Sequence, residues 1–70
     1  MIATITEDER AVAVEAIACA LTGNTVRISP GRTRRAYEIV EIVGFVAAEL
    51  GAEVRISAQQ DRVEVRPPPH

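Results

Sequence analysis

Lysine and tryptophan are absent from this chain, and cysteine and histidine occur once each. Cys19 alone can form neither an internal disulfide nor a metal cluster. With His70 the only histidine, a Ser-His-Asp triad, a Cys-His pair and a zinc site all lack their parts. Aromatic residues make up 3% of the chain, Tyr37 and Phe45 alone. No apolar run reaches the roughly 18 residues a membrane-spanning helix needs, so no span is expected. The opening Met1-Ile2-Ala3-Thr4-Ile5-Thr6-Glu7-Asp8 lacks the basic flank of a signal peptide, and a reducing, cytoplasmic setting is expected. No glycine-rich loop has P-loop or dinucleotide-binding spacing. The carboxylates of Glu38 and Glu41 fall on a helix surface, not in a pocket, which leaves glycosidase chemistry unsupported. Without a nucleophile–base pair, the expectation is a protein that is not an enzyme and needs no cofactor or metal.

What is present is an ordinary globular composition, 47% hydrophobic and 26% charged. Seventy residues make one domain, expected over residues 1–66 with a proline-rich stub at 67–70. A domain this small buries only roughly 60% of its unfolded surface, so it must pack efficiently or associate. All eight cationic side chains are arginine. A GC-rich coding sequence accounts for that, and so does phosphate recognition, which favours the planar guanidinium fork. The formal net charge of −2 excludes a generically basic nucleic-acid binder.

Hydrophobic periodicity predicts a β-α-β-α-β-β order. Ile2–Thr6 alternates as a short strand. Thr6 and Glu9 have the spacing of a capping box for a helix over Glu7–Thr22, with Gly23 terminating it. In that helix Val14, Ile17, Ala18 and Leu21 share one face, and Val12, Ala16 and Cys19 make a smaller stripe opposite. Thr25–Ser29 alternates again and ends at Pro30-Gly31. A second helix is expected from Arg32 or Thr33 to Leu50, its core face made of Ala36, Ile39, Val40, Val43, Val46, Ala47 and Leu50, with Gly51 as its stop. Gly44 inside this helix suggests a close backbone contact. Ala52–Ser57 and Arg62–Arg66 form a hairpin. Centring its turn on Gln59-Gln60 pairs Ile56 with Val63, Val54 with Val65, Arg55 with Glu64 and Glu53 with Arg66, apolar on one face and charge-matched on the other. Pro67–Pro69 cannot continue the ladder. The fold class is therefore α+β, a four-stranded mixed sheet with both helices on one face. The opposite face would carry Thr25, Arg27, Glu53, Arg55, Arg62, Glu64 and Arg66.

The stretch from Ser29 to Val43 resembles the Alba family of small archaeal chromatin and RNA-binding proteins. Gly31-Arg32, Arg35-Ala36 and Glu41-Ile42-Val43 match that family's Gly-Arg turn, basic residue with alanine, and acidic-aliphatic run, once one residue is deleted after Thr33. The element order is also that of Alba proteins and of the C-terminal domain of translation initiation factor three. The resemblance implies nucleic-acid binding. The chain departs from the family in having Glu7-Asp8-Glu9 where Alba proteins carry lysines, a short charge-balanced final hairpin in place of a long basic arm, and a net negative charge.

Two candidate surfaces follow. Arg27, Gly31, Arg32, Arg34 and Arg35 gather cations and backbone amides at a helix start, where phosphate is attracted. Arginine there opposes the helix dipole, which speaks for a functional reason; a solvated helix start with an Arg34–Glu38 pair is the alternative. Phe45 with Ile42 on the second helix, and Val12, Ala16 and Cys19 on the first, point to a homodimer or partner interface. Cys19 itself is read as a small hydrophobe. On the sheet's charged face, cross-strand ion pairs explain the arginines without a ligand, and no aromatic is present to stack on bases. The leading expectation is a homodimeric, sequence-independent nucleic-acid binder. The rival is an acidic protein-interaction module, such as a phage or mobile-element regulator, working through the Phe45, Ile42 and glutamate face.

Overall fold

The computed structural model describes residues 4–32 and 34–69. Across them run α1 (Glu7–Leu21), β1 (Val26–Ile28), α2 (Ala36–Leu50), β2 (Arg55–Ala58) and β3 (Val63–Arg66). The result is a small α+β domain with two helices and a three-stranded antiparallel sheet in the order β1-β3-β2. Four strands in a mixed sheet were expected; among the described residues there are three. The expected strand over Ile2–Thr6 lies partly outside the described residues, and Thr4–Thr6 is not strand. That segment spends its hydrogen-bonding groups elsewhere. The Thr6 amide donates to Glu9 Oε1 at 2.9 Å, the Glu9 amide donates to Thr6 Oγ1 at 3.1 Å, and the Thr4 carbonyl accepts from Arg34. The capping box read from Thr6 and Glu9 is thus formed, and it competes with a ladder for the same backbone.

Both helices lie on one face of the sheet. Their buried residues form a single cluster with Val63 and Val65 of β3, and Val26, Ile28 and Ile56 pack against it. The α1 contribution differs from expectation. Ala13, Ala16, Ile17 and Ala20 are buried, whereas Val14 and Leu21 of the expected core face are exposed. Three alanines and one isoleucine make a shallow stripe on which α2 packs closely. In α2, Ile39, Ile42, Val43, Val46 and Ala47 are buried, while Leu50 is exposed.

α2 starts at Ala36, three or four residues later than expected. Arg35 is its N-cap, with extended backbone (φ −89°, ψ 162°), and its amide donates to Glu38 Oε1 at 2.8 Å. Gly51 ends the helix in the left-handed region (φ 66°), the stop expected of it. Gly44 has no close neighbour: a Cβ built there meets nothing within 4 Å, so the expected backbone contact is not made.

The hairpin register is two residues off the expected one. Ile56 pairs with Val65, Ala58 with Val63, Ser57 with Glu64 and Arg55 with Arg66. The turn centres on Gln60-Asp61, closed by the Gln59 amide donating to the Arg62 carbonyl at 2.7 Å. A slip of two preserves which face each side chain takes, so alternation alone could not exclude it. The cross-strand charge pattern failed as a guide because Glu64 faces a third strand: Arg27 of β1 pairs with it and takes the carboxylate that the hairpin alone would assign to Arg55.

Candidate nucleic-acid interface

Pro30 and Gly31 turn the chain out of β1, with Gly31 at φ 77°, where a side chain would be strained. The turn and the N-terminus of α2 border a shallow groove on which Arg32, Arg34 and Arg35 converge, with Asp61 and Glu38 at its margin. Arg27 stands apart, on the open face of the sheet.

The three groove arginines differ in what holds them. Arg34 is committed internally. Its Nε donates to Glu9 Oε2 at 2.6 Å, a terminal nitrogen donates to Glu9 Oε1 at 3.0 Å, and another lies 3.5 Å from Glu38 Oε2. The last is the i,i+4 pair read from the sequence. The bidentate Arg34 guanidinium, with the Thr6 amide, holds the Glu9 carboxyl at a pKa of about 2, well below the usual carboxylate range. Glu9 in turn raises the pKa of Arg34. This pair fixes the start of α2 to the start of α1, while Arg10 and Glu49 tie the same end of α1 to the last turn of α2. Arg32 and Arg35 are exposed and make no ion pair among the described residues.

No family model, curated protein or solved structure matches the chain. What the site can do is read from its own residues. Two exposed guanidiniums without an ion pair among the described residues have the chemistry to receive an oxyanion, with Ser29, Glu38 and Asp61 also lining the groove. Among the described residues no group of His, Cys, Asp or Glu could hold a metal ion, and no helix is long and apolar enough to cross a membrane.

The residues expected at a partner interface are divided. Phe45 and Val12 are exposed at 54% and 49%. Ala16 and Ile42, at 2% each, are buried inside the single chain, and Cys19 is half-buried. The expected continuous stripe is therefore broken, because α1 and α2 cover those two residues for each other. An apolar concavity that the sequence did not reveal lies elsewhere, where Val14, Ala18 and Leu21 of α1 meet Leu50. Counting Val14 and Leu21 as core hid it.

Proposed function

We propose that the protein is a small non-enzymatic nucleic-acid-binding protein whose phosphate contacts come from Arg32 and Arg35 at the start of α2, with the backbone at Gly31 beside them and Arg27 contributing from the separate face of the sheet. The observation that carries this reading is that Arg32 and Arg35 are exposed at one groove with no acidic partner among the described residues. Arg34 serves as the brace that holds the groove's position. The resemblance of Gly31-Arg32, Arg35-Ala36 and Glu41-Ile42-Val43 to the Alba family supports the same reading. Such contacts carry no sequence information and release counterions, so binding falls steeply with salt.

The test is titration of the purified protein into labelled duplex DNA and single-stranded RNA at about 50 and 200 mM salt. Salt-sensitive binding, lost in Arg32→Ala with Arg35→Ala, is the expected result. No binding to either probe at the lower salt overturns the reading. The rival, a protein-interaction module on α2, is favoured by Phe45, 54% exposed with Glu41 and Glu49 also exposed on the helix. There Phe45→Glu would change the protein's mass in solution or abolish capture of a partner. A variant with unaltered mass and partners removes that reading.

A further inference from the structure

We infer that the phosphate-binding surface extends beyond the α2 groove onto the open face of the sheet, and that this face takes the backbone of duplex DNA. The inference rests on the nucleic-acid reading and names its surface. Seven of the eight arginines lie outside the two helices, whereas seven of the ten acidic residues lie within them. The net charge of −2 therefore conceals a strongly divided molecule.

The sheet face itself is built for an anion. Arg27 of β1 and Arg66 of β3 both bind Glu64, at 3.1 and 3.0 Å, one carboxylate serving two guanidiniums. Glu64 is 8% exposed beneath them, so it orients the arginines while presenting little negative surface. Arg55 of β2 is directly opposite Arg66 and has no acidic partner among the described residues. Like charges opposed across a ladder are unfavourable in the free protein, and an anion bridging them relieves that repulsion. Arg27, Arg55 and Arg66 border one recess walled by Pro67–Pro69, and Arg62, paired at 3.3 Å with the exposed Asp61, extends the face before the start of β3. β1 and β2 flank β3, and Arg27 and Arg55 pair with positions two residues apart on it, which places their backbones about 12 Å apart on the sheet.

The absence of aromatics selects the occupant. Tyr37 and Phe45 both lie on α2, so the face offers bases nothing to stack on, which disfavours single strands. A duplex presents phosphates with its bases already stacked, and phosphate contact alone suffices.

Wild type, Arg55→Ala, Arg62→Ala and Arg55→Glu would be titrated into a labelled DNA duplex and one of its strands at several salt concentrations. Wild type is expected to prefer the duplex. Arg55→Ala and Arg62→Ala should each weaken duplex binding several-fold and lower the slope of log affinity against log salt by about 1. Arg55→Glu should weaken it more. Arg55 is exposed, and circular dichroism should report an unchanged fold. Wild-type binding that survives Arg55→Ala, Arg62→Ala and Arg55→Glu yet is lost with Arg32→Ala and Arg35→Ala overturns the sheet-face assignment and leaves the nucleic-acid reading standing. Tighter binding to the single strand overturns the duplex. No wild-type binding to either probe removes both.

Discussion

The helical layer and the sheet layer use the same ion pair for opposite ends. Among the helices the arginines are few and each is held by an acid: Arg10, itself exposed, by Glu49, and the more covered Arg34, just before α2, by Glu9 and Glu38. Acids predominate there and lie largely at the surface. On the sheet the acid is the enclosed partner, with Glu64 covered by Arg27 and Arg66, and the cations face out. A charge that is braced from within organises structure, while a charge left facing outward is available for binding. Exposed pairs contribute little stability, so the sheet's charge pattern need not be selected for folding. The apolar core between the layers holds them together regardless of charge.

The comparison breaks most completely where the layers meet. Ile17 is 1% exposed and packs in the same cluster as Val63 and Val65. Ile17→Ala should cost about 2–5 kcal/mol. In a domain of this size each kcal/mol lowers Tm by roughly 4–8 °C, so thermal unfolding should show a large drop or no folded protein. A small shift would mean that the helices do not depend on the sheet.

Gly44 tests the helical layer alone. A Cβ there meets no neighbour, so Gly44→Ala should stabilise by about 0.5–1 kcal/mol through helix propensity. Denaturant unfolding at constant m-value would measure it, and a destabilised variant would show a contact at that position.

Charge reversal sharpens the contrast in the sheet. Arg55→Glu turns a like-charge pair with Arg66 into an attractive one and should stabilise the free protein by about 0.2–1 kcal/mol, more at low salt than at high. A loss of stability would indicate that Arg55 already has an anion to bind.

The smallest effect is in acid. The Glu9 carboxyl is depressed from 4.5 to about 2, so the unfolded chain takes up its proton first. The stabilisation is complete above about pH 4.5 and is lost as pH falls through about 2. Melting temperatures in that window should fall in wild type more than in Glu9→Gln. Parallel curves would show that the Arg34 pair contributes nothing.

Local features were readable from neighbouring residues. The Thr6–Glu9 box, the Gly51 stop and the Arg34–Glu38 pair all formed. Each depends on groups within about one helical turn, where spacing dictates contact. The readings that failed depended on a distant partner. The start of α2 moved to Ala36, with Arg34 bound to Glu9, 25 residues away. The hairpin's charge pairing moved because Glu64 met Arg27, 37 residues away. The α1 core face moved because size was taken as the measure of burial, whereas close helix packing selected the alanines.

By itself, then, the sequence determined the two helices, the hairpin, the α+β class and the stock of arginines. These follow from periodicity, caps and composition, which act over short stretches of chain. Only the tertiary structure decided the three-stranded order, the register and which arginines are committed. Those depend on which residues compete for Glu9 and Glu64, and that competition exists only once β1, β3 and the two helices are brought together.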